Sequence, residues 1–180
     1  MKLLIFATKT VPEPLFEDTV RAGVLTSNVS FNKHFIFPCA ILYGRRRVAE
    51  SLLGIFMHGT DREKCGTSGA VYWCSIPRQE MYWPHDGGRE RGSADGSIDD
   101  LLQLFEDAAL EEFLHNPALD VRRALVPWVV SAARRTPELG ARAIAIAQEH
   151  VDEYIRQRVL CDLGESELIP CLPPSAGSSG

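Results

Sequence analysis

The chain has 180 residues, 45% of them apolar and 24% charged, and a net charge of −5. That length and apolar fraction suffice for a self-supporting core, so bulk disorder is excluded. No apolar run approaches the ~18 residues of a transmembrane helix, and the acidic balance argues against a protein that lives on nucleic-acid phosphates.

Met1 to Phe6 begins like a secretion signal, but Thr8, Lys9 and Thr10 cut the apolar stretch short, so no export signal is expected. Leu3 to Phe6 reads as either a strand or a packed terminal turn. Residues 12–25 and 30–43 make a first pair of helical segments, with Pro38 inside the second. A helix over 45–58 turns Val48, Leu52, Ile55 and Phe56 inward, and Gly59-Thr60-Asp61 ends it. A helix over 62–74 carries Gly66, Gly69, Ala70 and Trp73 on one face. Two glycines in one helix cost about 1 kcal/mol each against alanine, which a close helix–helix approach would offset. Residues 75–96, with two prolines and Gly87-Gly88, read as a long loop.

A helix over 97–115 follows, with Ile98, Leu101, Leu102, Phe105, Ala108, Ala109 and Phe113 on one side and acids on the other. Ser97 is its expected N-cap, and Asn116-Pro117 stops it. The helix over 119–135 buries Val121, Leu125, Trp128, Val129 and Ala132 and contains Pro127, where a kink is expected. Thr136-Pro137-Glu138 reads as N-cap, first-turn proline and acid, with Leu139, Ala143, Ile146 and Ala147 inward up to Glu149. The last helix starts near Asp152 and ends at Gly164, an expected C-terminal cap. The segment 173–180 is low-complexity and reads as a flexible tail.

A short phrase occurs twice: Asp120-Val121-Arg122-Arg123-Ala124 and Asp152-Glu153-Tyr154-Ile155-Arg156 each open a second helix. The offset is 156 − 122 = 34 residues, a helix–turn–helix period. These phrases resemble HEAT repeats, and Gly59-Thr60-Asp61-Arg62-Glu63-Lys64-Cys65-Gly66 looks like a degenerate third copy. HEAT repeats usually carry an aspartate about six residues before the second-helix arginine; here Asn116 and His150 stand at that distance from Arg122 and Arg156. The resemblance implies an all-α fold, a right-handed α–α superhelix (α-solenoid) of about four helical hairpins. It would be a single domain over 1–172 with a long loop at 75–96. It also implies a concave face made by the second helices and, as for most such folds, a macromolecular partner.

The five cysteines, an odd number without an export signal, suggest free thiols in a reducing cytoplasm. Cys65 and Cys74, nine residues apart on one helix, would lie roughly 13 Å apart along its axis. His58, His115 and His150 fall at inter-helix turns, each followed by Asp61, Asp120 or Asp152. A zinc or iron row is conceivable there, but dipole-favoured histidines and N-cap aspartates explain the pattern more simply, so no metal is expected. Gly-x-Ser-x-Gly, a Walker loop and Gly-x-Gly-x-x-Gly are all absent, and no catalytic residues or cofactor are assigned.

Arg45-Arg46-Arg47 is the densest basic run, while arginines crowd the C-terminal half and 92–120 holds no Lys or Arg. Arg122, Arg123 and Arg156 are the expected binding residues, joined by Tyr82 and Trp83 from the long loop, since arginine and aromatic anchors dominate interfaces. The acidic helix over 97–115 neutralising that row is the competing reading. The expected function is a non-catalytic protein–protein interaction module, an adaptor or an inhibitor of the immunity type. Its partner would be a protein with an acidic surface; neither nucleic acid nor membrane is expected. The alternative is a HEAT-like enzyme, either a DNA-repair glycosylase type, suggested by Trp73, Trp128, Arg122 and Arg156, or a metal-dependent type.

Overall fold

The computed structural model describes residues 10–26, 28–77 and 97–163. The described residues form eight α-helices and no strand, so the all-α expectation is met. After a 3-10 turn at Glu13–Leu15 come α1 (Phe16–Val24), α2 (Val29–Tyr43), α3 (Arg45–His58) and α4 (Asp61–Ser75). Then follow α5 (Asp99–His115), α6 (Leu119–Arg135), α7 (Pro137–Gln148) and α8 (Glu153–Leu163). The choice between strand and turn at the N-terminus, the glycine cap at Gly164, the long loop and the tail concern residues outside those described.

Consecutive helices pair as hairpins: α1 with α2, α3 with α4, α5 with α6, α7 with α8. Each first helix also touches the next first helix, and each second helix the next second helix. Apolar positions at helical spacing bring this about. Phe56 of α3 meets Phe105 of α5 edge-on at 4.8 Å between centroids, and Phe105 meets Trp128 of α6 at 5.1 Å. Phe16, Phe56, Phe105 and Phe113 are fully buried, in a single cluster that continues through Leu125 and Ile155.

Gly66 shows why a helix tolerates glycine here. A Cβ at this position would overlap the carbonyl oxygen of Val24, so α4 crosses the end of α1 at backbone distance. Gly44, at φ 88°, allows α2 to turn directly into α3. Pro38 and Pro127 lie within α2 and α6, which run through them.

Three expected caps need correction. Ser97 sits one residue before the N-cap position of α5, although its hydroxyl accepts the Asp99 N–H at 3.2 Å. Asp61 and Asp120 are not N-caps but first-turn residues of α4 and α6, placed to suit the helix dipole. Thr60 caps α4 instead, in a capping box with Glu63. Thr136 holds the N-cap position of α7 without a side-chain bond. Asp152 is a true cap, accepting the Ile155 N–H at 3.1 Å.

Candidate interaction surface

The fourth residue of every second helix is polar: Asn32, Lys64, Arg122 and Arg156. Arg122 and Arg156 thus stand at equivalent positions, as the 34-residue offset implies, because α6 starts at Leu119 and α8 at Glu153. Lys64 holds the same place on α4. Its Nζ lies 2.7 Å from Glu112 of α5. Asn116 completes that network, donating to Asp61 at 2.8 Å and to Glu112 at 2.7 Å.

The two arginines are held differently. Arg122 donates Nε–H to the carbonyl of Phe113 at 3.2 Å, and its guanidinium faces the Phe113 ring at 5.7 Å. Arg156 donates to the carbonyl of His150 at 3.0 Å. Both satisfy carbonyls left over where a first helix ends. Among the described residues, neither forms an ion pair with a carboxylate. Burial pulls the Arg122 guanidinium below its ordinary pKa.

Asn116 and His150 do the same local job. The Ala118 N–H donates to Asn116 Oδ1 at 2.8 Å, and the Asp152 N–H to His150 Nδ1 at 3.1 Å. His150 is half-buried beside both arginines. Burial, then the charge of Arg122 and to a lesser degree that of Arg156, hold it below the usual histidine pKa, against an opposing pull from Asp152. Arg123 points the other way, to Asp152 at 2.6 Å, a bond that ties α6 to the start of α8 and holds the Asp152 carboxyl low.

Large apolar side chains break the surface along the same edge. Leu119 is 41% exposed, Val151 92% and Tyr154 44%, at or just before the starts of α6 and α8. Next to them, Asp61, Arg62, Cys65, Ala118, Leu119, Asp120 and Val121 line an open cleft of about 610 Å³ between the starts of α4 and α6. Leu119, Val151 and Tyr154 were not singled out from sequence; their signal is an apolar residue at a helix start where polar ones are the rule.

The other features find internal partners. Arg45 bonds the carbonyls of Cys74 and Ser75, Arg46 pairs with Asp100 and Glu50, and Arg47 pairs with Glu13 and lies over Phe16. The acids of α5 neutralise Arg46, Lys64 and Arg135, not Arg122, Arg123 or Arg156. Trp128 donates Nε1–H to buried Ser68, and Trp73 packs edge-on against Phe37. His115 bonds the carbonyl of Glu111, and His58 lines a separate cleft with Glu17, Arg21 and Ser51. Among the described residues no three His, Cys, Asp or Glu side chains gather as metal ligands do. None of the helices described is long and apolar enough to cross a membrane. Cys39, Cys65 and Cys161 are free thiols, and the Cys74 thiol donates to the carbonyl of Arg45 at 3.4 Å. Tyr82 and Trp83 lie outside the described residues.

No family profile, curated protein or solved structure matches the chain.

Proposed function

We propose that the chain is a small HEAT-like α-solenoid that works without catalysis, as a cytoplasmic module binding an acidic protein surface. The repeat reading is supported by the equivalence of Arg122 and Arg156 at the fourth position of α6 and α8, with Lys64 in the same place on α4. It is also supported by contacts that run from first helix to first helix and from second to second. An adaptor or an inhibitor of the immunity type fits such a surface.

The observation that carries the binding reading is the make-up of one edge. Leu119, Val151 and Tyr154 are exposed beside Arg123 and beside Arg122 and Arg156, which have no carboxylate partner among the described residues. Interfaces favour such a mixture of aromatic, apolar and guanidinium groups. Side-by-side affinity capture with the intact chain and with Arg123→Gln/Tyr154→Ala, which keeps an amide donor facing Asp152, tests it. A partner identified with the first, bound again after purification, and lost with the second at unchanged melting temperature supports the assignment. Equal capture by both moves the binding surface elsewhere.

A further inference from the structure

We propose that Arg122, Arg156 and His150 form an oxyanion site, which takes a phosphoryl or carboxylate group from a side chain of a protein partner. This rests on the interaction-module reading and names what the edge recognises.

Charge bookkeeping carries it. Asn116 and His150, just ahead of α6 and α8, are both acceptors occupied by a backbone N–H. The cation of the neighbouring repeat, Lys64, keeps a carboxylate in Glu112. Nearby Asp152 is already used by Arg123 and by the Ile155 N–H. The seam between α6 and α8 therefore holds two guanidiniums with no carboxylate of their own among the described residues. Arg122 is half-buried, so its field is less screened than that of a surface arginine.

The donor inventory points the same way. Arg122 spends Nε on Phe113, and Arg156 spends one terminal nitrogen on His150. The remaining guanidinium N–H groups have no acceptor among the described residues. Because His150 Nδ1 accepts from Asp152, the proton of the neutral ring sits on Nε2, a further donor. Three nitrogen-rich groups offering donors without acceptors suit an oxyanion, since charge-assisted bonds from guanidinium to phosphate or carboxylate are the strong ones. The starts of α6 and α8, helices of 17 and 11 residues, add positive potential on the same side.

The first probe is inorganic phosphate, titrated at constant ionic strength and followed by the ring resonances of His150 and by the melting temperature. Saturable shifts with a midpoint of about 1–10 mM are expected. Arg122→Leu or Arg156→Leu should weaken them roughly tenfold or more. His150→Asp supplies an internal carboxylate and is followed by melting temperature alone; it should abolish the phosphate-dependent rise while keeping or raising stability, which guards against an arginine variant that fails to fold. No resonance change up to about 50 mM phosphate, or unchanged binding in His150→Asp, overturns the proposal.

Peptides then separate the sources. Tighter binding of a phosphoserine peptide than of its glutamate counterpart assigns a phosphoryl group, and the reverse assigns a carboxylate. Duplex DNA that outcompetes both peptides overturns the protein source. If phosphate fails to bind while a captured acidic partner still needs Arg123 and Tyr154, the oxyanion site falls and the interaction module stands. If phosphate binds but capture is insensitive to Arg123 and Tyr154, the module reading falls instead.

Discussion

Ser68 joins two second helices through a hydroxyl that both donates and accepts. Its Oγ–H donates to the carbonyl of Ala124 at 2.6 Å, and the Trp128 Nε1–H donates to it at 2.9 Å, all from a residue 8% exposed. Ser68→Ala removes both bonds and strands the indole N–H. The ring cannot swing out to water without losing its contact with Phe105 at 5.1 Å. A net hydrogen bond contributes about 1 kcal/mol, and a stranded buried donor costs about 1–3 kcal/mol, so the loss should total about 2–4 kcal/mol. For a domain of this size that corresponds to a fall in melting temperature of roughly 4–16 °C. Urea unfolding of Ser68→Ala, Trp128→Phe and the double variant measures it. The double variant should lose about 1 kcal/mol less than the sum of the singles, because each single removes the same bond. A loss for Ser68→Ala below about 0.5 kcal/mol, or strict additivity, would refute a coupled Ser68–Trp128 link.

Gly66→Ala should destabilise by about 1–3 kcal/mol despite alanine's better helix propensity, because its methyl meets backbone of Val24 that cannot yield cheaply; a stabilised variant in a thermal melt contradicts the close crossing of α1 and α4. His150 is depressed in the folded state, so its contribution to stability is complete above the unfolded value near 6.5 and drains away as pH falls from there through the lower folded pKa. Denaturant titrations across that window should slope for the intact chain and flatten for His150→Asn; parallel slopes contradict the burial of that ring among arginines. Cys39 is buried, with its thiol pushed up to about 12 by burial and by Glu17 against Arg47, whereas Cys161 is exposed. Iodoacetamide at pH 8, with the modified peptides mapped by mass spectrometry, should modify Cys161 at least about a hundredfold faster than Cys39. Comparable rates would mean that the α2 core opens readily.

Much of the helical order is legible in the sequence because the apolar period is long and regular. In 119–135, Val121, Leu125, Val129 and Ala132 recur at three- and four-residue steps, and all are buried. Capping is less legible. An aspartate near a helix start is favoured at the cap and in the first turn alike, so Asp61 and Asp120 cannot be placed by charge alone. Thr60-x-x-Glu63 did carry the capping-box signature that decides α4. The 34-residue offset makes Arg122 and Arg156 equivalent, but it is silent on what they bond. Arg122 takes the carbonyl of Phe113 and Arg156 that of His150, choices set by how each first helix ends. Ser68 and Trp128 are sixty residues apart, and no local pattern links positions so distant. The exposure of Leu119, Val151 and Tyr154 likewise depends on which neighbours cover a helix start, not on the period that places it.

Hydrogen–deuterium exchange on the chain with and without its captured partner tests the interaction surface most directly. Slowed exchange is expected at 119–123 and 150–156, the segments that carry Leu119, Arg122, Arg123, His150, Val151, Tyr154 and Arg156. Protection confined to the first helices α1, α3 and α5, with those two segments unchanged, would contradict a partner seated on this edge.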